Sequence, residues 1–363
     1  MNYLAYFILS FTGLQMLISL INLLWGKFTF AAAQPPEILV SVLIPARNEE
    51  KNIGNILNDL ILHDYKNIEI LVFDDQSADG TAGIAEEFSA KDKRVKLIRS
   101  DKLPEGWLGK NHACHSLSEK ARGDYFLFLD ADVRIGSDII KNTVSFSVKH
   151  KLGLLSLFPK QIMLTPAEWS AVPVMNYILL SLLALVFVRK SKFSSLAAAN
   201  GQFMLFNAPV YKKYLPHKTF KNNAVEDIII ARYLKQKRIK IACHTSPGAV
   251  KCRMYDNFHE AVNGFSKNVF CFFGGSFFLA LVFWLITSFG FVVVLLALPS
   301  RLFFIHLILL LVTRIFVSIT SEQNITKNLI YMLPQQLAMG KFIFRAFSNK
   351  INNNYTWKGR NIL

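Results

Sequence analysis

Three acidic pairs stand out by where they fall. Asp130 and Asp132 close the run FLFLDAD with one alanine between them, Asp74 and Asp75 end IEILVFDD, and Glu226-Asp227 open the apolar stretch EDIIIARYL. A hydrophobic strand is a rigid post, and carboxylates at its tip are presented to whatever binds there. Four of them facing one crevice repel one another unless positive charge lies between. A divalent metal carrying phosphate is the economical answer, because Mg2+ and Mn2+ take hard oxygen ligands and share their shell with phosphate oxygens. Asp132 is then placed to ligate the metal, with Asp130 facing ribose or a metal-bound water. A lone D-x-D is weak evidence; its place at the end of an apolar strand raises it.

The elements that must position these groups are legible upstream. Residues 38–44 (ILVSVLI) are β-branched and apolar on both faces, the pattern of a buried parallel strand, and the polar turn Arg47-Asn48-Glu49-Glu50 leads into a helix. IEILVFDDQSADGTAGIAEEF repeats the design, residues 95–98 form a short third strand, and DYFLFLDAD is a fourth. Strand alternating with helix, with polar residues gathered at strand C-termini, predicts a doubly wound α/β sheet whose ligand lies outside those ends. Asp74, Asp75, Asp130 and Asp132 should line that crevice.

In this order and spacing, SVLIPARNEE, DDQSADGT, FLDAD and VED resemble the inverting family 2 glycosyltransferases, whose fold is the GT-A doubly wound mixed sheet. PEGWLGKNHAC (104–114) and the C-terminal apolar segments make the chain similar to a membrane-bound branch that includes carotenoid-acid and hopanoid-associated glycosyltransferases, over residues 1–360. The resemblance implies a hexosyltransferase that uses a nucleotide sugar, with uracil as the expected base, and Mg2+ or Mn2+. It puts Pro45, Arg47 and Glu49 around base and ribose, Asp75 on uracil with Asp74 beside it, and Lys110 at a phosphate or the donor sugar. It makes Asp130 and Asp132 the metal pair and Glu226-Asp227 the acidic pair whose aspartate deprotonates the acceptor. The Q-x-x-R-W of processive synthases is missing; KCRMYDNFHEAVNGFSKN (251–268) stands there, with Arg253 as the nearest basic residue. That favours a single transfer over a polymerase.

Composition narrows the setting. Of 363 residues 52% are hydrophobic, and they are unevenly spread. Residues 3–25 and 270–298 carry no charge and 302–320 only Arg314, each long enough to cross a bilayer. A cleavable signal is the alternative for the first, with Ala31–Ala33 as its cleavage site, but no Lys or Arg precedes the run. The expected domains are an anchor at 1–26, a GT-A domain at 37–268 after a Pro35-Pro36 linker, two spans within 269–320, and a basic, interfacial segment at 321–363. The turn after the second span offers Arg301 alone, whereas the C-terminal stretch has Lys327, Lys341, Arg345, Lys350, Lys358 and Arg360 against Glu322. Positive charge stays inside, so a multi-pass protein of the cell membrane with a cytoplasmic catalytic domain is expected.

Residues 171–188 could be a fourth span by hydropathy, yet they lie between Asp132 and Asp227, which must share a pocket. An interfacial helix (171–190), suited to a lipid acceptor, is the expectation, and a buried core helix is the alternative. In AAANGQFMLF (197–206), Gly201 and Gln202 are candidates for close backbone approach to the acceptor. The formal charge of +16 calls for an anionic partner; no zinc-finger spacing or RNP-type run points to nucleic acid, and the phospholipid bilayer is nearer at hand. Four cysteines without a C-x-x-C pair argue against zinc. His112 and His115 are expected on a helix surface, Asn324-Ile325-Thr326 as an inert glycosylation match, and YTWKGR (355–360) at the membrane surface or over the donor phosphates. Asp227 could equally be a helix N-terminal acid. The competing functions are a processive synthase and a non-catalytic nucleotide-sugar-binding membrane protein.

Overall fold

The computed structural model describes residues 1–28, 37–246, 248–352, 356–357 and 360–361. The Pro35-Pro36 linker, the alanines at 31–33 and residues 355, 358 and 359 of the tail lie outside them. The chain forms two compact units: a sheet unit of 28–160, 188–252 and 356–363, and a helical unit of 1–27, 161–187 and 253–355.

The sheet unit holds β1 (Val40–Ala46), β2 (Ile68–Asp74), β3 (Val95–Arg99), β4 (Tyr125–Leu129), β5 (Val133–Ile135), β6 (Leu154–Phe158), β7 (Lys160–Gln161, the point of exit), β8 (Phe203–Asn207), β9 (Ile241–Thr245) and β10 (Val250–Cys252). Seven of them make a mixed sheet in the order β3-β2-β1-β4-β8-β6-β9. The first four run parallel, and β8 is antiparallel to both β4 and β6. Every residue of β2 and β4 is buried, as runs apolar on both faces require. β1 and β2 pair in register from Val40↔Ile68 to Ala46↔Asp74, so their polar ends emerge side by side. β5 pairs antiparallel with β10, which brings the segment after Asp132 beside the one that ends at Cys252.

The helical unit contains three helices long and apolar enough to cross a membrane: Asn2–Trp25, Phe277–Ala297 and Ser300–Thr320. Residues 166–182 form two short helices, Pro166–Ala171 and Pro173–Leu182, each with proline in its first turn. The second has ten residues, about 15 Å of rise against a hydrocarbon core of about 30 Å. Most of its residues are buried. Asn22 holds its C-terminal end: Nδ2 donates to the carbonyls of Leu180 (2.9 Å) and Leu183 (2.8 Å), and Oδ1 accepts from Leu185 N–H (2.8 Å). Arg314 is 5% exposed, with its guanidinium 3.6 Å above the Tyr177 ring and Nη1 donating to Gln335 Oε1 at 2.8 Å. Gln335 Nε2 donates on to Trp169 O (3.1 Å) and Asn328 Oδ1 (3.0 Å). Among the described residues no carboxylate pairs with Arg314. Residues 161–187 and 253–268, expected in the sheet domain, thus fold with the helices, because their apolar residues find buried positions there.

Candidate active site

The loops after β1 and β2 are laced together. Arg47 Nη1 donates to Asp75 O at 2.5 Å and Gln76 O at 3.3 Å, Ala78 N–H to Asn48 Oδ1 at 2.9 Å, and Glu49 N–H to Thr81 Oγ1 at 2.7 Å. Asn48 and Gln76 have φ of 52° and 58°, a left-handed backbone that asparagine tolerates better than most residues. The result is a stiff rim built from the residues expected around base and ribose. Pro45 sits within β1 opposite Phe73, and Glu49 accepts from Asn52 Nδ2 at 2.8 Å. Asp74 and Asp75 are 6% and 4% exposed, and Asp74 Oδ1 accepts from Ser77 N–H at 3.3 Å.

A second group gathers at the end of β4. Lys110, in the first turn of the Gly109–Lys120 helix, has Nζ 2.8 Å from Asp130 Oδ1 and 3.4 Å from Glu226 Oε1. Asp227 begins the Glu226–Gln236 helix; its Oδ2 accepts from Gly201 N–H at 3.0 Å and its Oδ1 from Ile228 N–H at 2.7 Å. A Cβ on Gly201 would stand 3.1 Å from Lys110 Nζ, 3.5 Å from Glu226 Oε1 and 3.7 Å from Asp227 Oδ2. Glycine is therefore what lets the turn before β8 approach all three charges. One cation thus ties Asp130 to the Glu226-Asp227 pair, although 96 residues of sequence separate Asp130 from Glu226.

Electrostatics follow from that crowding. Burial works against charge on Lys110, but Asp130 and Glu226 beside it win and hold its ammonium well above the lysine range. Burial raises the Glu226 carboxyl, with Lys110 pulling down and Asp227 pushing up. Burial raises Asp227 too, against the Ile228 and Gly201 N–H groups that favour its charged form. Asp132 is pushed up to about 7 by burial and then by the charges of Asp130 and Glu49. Its Oδ1 is buried without a hydrogen-bond partner among the described residues. A buried, unsatisfied carboxylate oxygen amid other carboxylates fits a hard divalent cation. No cluster of three His, Cys, Asp or Glu is arranged to hold an ion among the described residues, so Asp130 and Asp132 would need phosphate oxygens or water to complete a shell.

The other expected residues have the following partners. Arg253 is engaged within the helical unit: Nε and Nη2 donate to the fully buried Glu168 Oε1 at 3.0 and 2.7 Å, and Nη1 is 3.2 Å from Asp256. Glu168 also accepts from the N–H groups of Leu164 and Thr165. His115 is not a surface residue; it is 7% exposed with its ring stacked on Trp107 at 5.3 Å. Gln202 Nε2 donates to Cys252 Sγ at 2.8 Å, while its backbone carbonyl accepts from Asp130 N–H at 3.4 Å. Asn324 caps the Ile325–Ile330 helix. Two residues escaped notice in the sequence. Cys252 contacts Asp132 and is raised by burial first and by that carboxylate second; Asn111 is buried beside Lys110. Neither has a local pattern that would have marked it.

The mixed sheet, with aspartates at the C-terminal ends of its strands and Lys110 and Glu226-Asp227 in helical first turns beside them, has a fold of GT-A type. Residues 41–215 match the family described as Glycosyl transferase family 2, and the chain carries a domain of that family. The chain is 27% identical over 239 residues to a 4,4'-diaponeurosporenoate glycosyltransferase of Staphylococcus haemolyticus (strain JCSC1435), covering 63% of this chain and 60% of that protein. It is also 27% identical over 257 residues to the protein of the same name from Staphylococcus aureus (strain USA300), covering 69% and 66%. Both matches span less than two thirds of the relative's length. In structure the chain resembles a mannosyltransferase of Pyrobaculum calidifontis solved with GDP-Man and Mn2+, at a TM-score of 0.56 and 14% identity over 96% of this chain and 99% of that one.

Proposed function

We propose that this protein transfers one sugar from a nucleotide sugar, with a UDP-sugar as the first donor to test, to a membrane lipid in a single inverting, non-processive step. The observation that carries this reading is Lys110, which holds the strand-end Asp130 and the Glu226-Asp227 pair in one cluster. The structural neighbour's GDP-Man and Mn2+ and the relatives' carotenoid-acid name support a nucleotide-sugar donor, a divalent cation and an apolar acceptor. The three apolar helices support a multi-pass cell-membrane protein, and the basic C-terminal stretch supports a cytoplasmic catalytic unit.

The acceptor oxygen attacks the anomeric carbon as the bond to the leaving diphosphate breaks, and the bonding electrons depart with the diphosphate. The hydroxyl proton passes to Asp227. Both of its oxygens already accept a backbone N–H, which orients the carboxylate while each oxygen keeps a second lone pair. Inversion in one displacement needs no nucleophilic carboxylate. Lys110 holds positive charge where the diphosphate would lie. Asp130 and Asp132 would hold Mg2+ or Mn2+, which when bound supplies charge neutralisation to the leaving group. Pro45, Arg47, Glu49, Asp74 and Asp75 form the rim for base and ribose. Arg253 would have to exchange Glu168 and Asp256 for a diphosphate before it could add charge there.

The test is incubation of the detergent-purified protein with UDP-sugars, total lipid extract and Mn2+ or Mg2+, followed by mass spectrometry of the lipids. A lipid heavier by one hexose is the expected product, and a ladder of additions would instead indicate processive synthesis. Asp227→Asn separates acceptor types. A hydroxyl acceptor loses turnover, whereas a carboxylate acceptor, ionised near pH 4, keeps it and makes Asp227 an orienting group. Nucleotide binding without any transfer would favour a binding protein.

A further inference from the structure

Asn111 follows Lys110 in the Gly109–Lys120 helix and is 1% exposed. Its Nδ2 lies 3.0 Å from Phe220 O, 3.2 Å from Lys221 O and 2.9 Å from Asn223 O. Just before it in the chain, Leu108 N–H donates to Lys221 O at 2.8 Å. Residues 220–225 have no regular structure, and Lys221, Asn222 and Ala224 are exposed. Within them Asn223 N–H donates to Phe220 O and Val225 N–H to Asn223 Oδ1, each at 3.0 Å. This short strap runs straight into Glu226 and Asp227.

We propose that Asn111 is a positioning residue for the transfer, its single amide gathering three carbonyls of the strap and so setting where Glu226 and Asp227 stand relative to Lys110. The inference rests on the reading of Asp227 as base and adds the group that places it. Three carbonyls converging on one nitrogen demand a donor. Two protons on Nδ2 supply it, whereas a carboxylate of the same shape has none to offer and sets oxygen against oxygen. Without Asn111 the strap keeps anchors at its start alone: Leu108 N–H to Lys221 O, Phe220 N–H to Pro216 O at 3.0 Å, the Phe220 ring against Tyr233 at 5.3 Å and the Lys221 ammonium 5.9 Å from the Trp107 ring. The end nearer the base, at Asn223, would lose its bond to the helix and let the base drift, and misplacement of about 1 Å costs on the order of a hundredfold in rate.

The experiment is steady-state kinetics of Asn111→Asp and Asn111→Ala with the donor found active in the lipid assay, alongside thermal unfolding in detergent. The expected result is a fall in kcat of about 100-fold for Asn111→Asp and about 10-fold for Asn111→Ala, with donor KM within about threefold of the parent. Ser41→Ala serves as the structural control, because Ser41 is fully buried at the far end of β1 and bonds Glu69 at 2.6 Å. It should lower the unfolding temperature while leaving kcat alone. If Ser41→Ala instead loses kcat in the same proportion to its fall in unfolding temperature as the Asn111 variants do, the loss is merely structural and the proposal is overturned. An unchanged kcat in both Asn111 variants overturns it too. Asp227→Asn run beside them distinguishes the two ideas: retained turnover there removes the base and this inference with it, while lost turnover with active Asn111 variants removes the inference alone.

Discussion

Replacing Lys110 with methionine keeps the stem and removes the charge that joins Asp130 to Glu226. At contacts of 2.8 and 3.4 Å and an effective dielectric of about 20, the two attractions are roughly 6 and 5 kcal/mol before desolvation. Desolvation cancels much of this. Removing one partner of a buried pair typically costs about 3–5 kcal/mol, and Lys110 and Asp130 retain 26% and 27% exposure, so the lower end applies. About 3 kcal/mol expressed in the transition state is a fall in kcat of roughly 100-fold. The pH dependence carries the sharper test. Lys110 is held above the lysine range, so it stays charged throughout pH 6–9 and pulls down the Glu226 and Asp227 carboxyls. Without it both carboxyls rise further, and the limb on which kcat increases with pH moves to higher pH. The deficit is therefore largest at pH 6 and narrows toward pH 9. The stability penalty runs the other way, greater at pH 8 than at 5.5, because two like charges face each other only when ionised. A kcat loss that is flat across pH, or a limb displaced to lower pH, refutes the role given to Lys110.

Three further outcomes follow from the same contacts. Gly201→Ala brings a methyl to 3.1 Å from the Lys110 ammonium, the mobile end of a long side chain; thermal unfolding should move little while kcat falls about 10-fold. Asp132 titrates near 7 folded and near 4 unfolded, so its protonation favours the native apoprotein at low pH and that benefit fades as pH rises toward 7. The rise in unfolding temperature on adding Mn2+ should accordingly be larger at pH 8 than at 5.5, and Asp132→Asn should abolish it; an equal shift at both pH values would argue against a carboxylate site. Asn22→Ala leaves two carbonyls and one N–H without their partners and should cost about 3 kcal/mol, read as a lower unfolding temperature in detergent with donor binding unchanged.

What the sequence makes legible here is local. Residues 38–44 and 68–74 declare themselves as strands because nearly every residue is apolar or β-branched, and the Asp74-Asp75 tip of the second follows from the same run. The three helices long and apolar enough to cross a membrane are equally plain, since length and scarcity of charge suffice. Pairings across long sequence distances are not legible. Nothing around Arg253 announces Glu168, 85 residues away, and so it reads as a free cation for phosphate. His115 reads as a surface residue because the Trp107 ring that covers it comes from the preceding loop. The boundary expected at residue 268 falls elsewhere for a related reason: hydropathy alone does not say which unit will bury the apolar stretch 161–187. Glycine before β8 is recognisable as a point of close approach, but not that the approach is to Lys110.

The buried Arg314 also bears on how the chain is made. In a bilayer, an arginine well inside the Ser300–Thr320 helix lowers that segment's tendency to partition into lipid by about 2.5–3.5 kcal/mol. Its aromatic partner, Tyr177, is synthesised long before it, whereas Gln335 follows 21 residues later. On the proposed multi-pass placement, the Ser300–Thr320 helix would enter the membrane as a half-satisfied segment, leaning on a ring already in place, and its lateral assembly would be completed only when the Met332–Asn352 helix arrives. Biogenesis is thus ordered from the C-terminal end: chains shortened before residue 335 should insert this helix inefficiently and be recognised by quality-control proteases, even with the sheet unit fully synthesised.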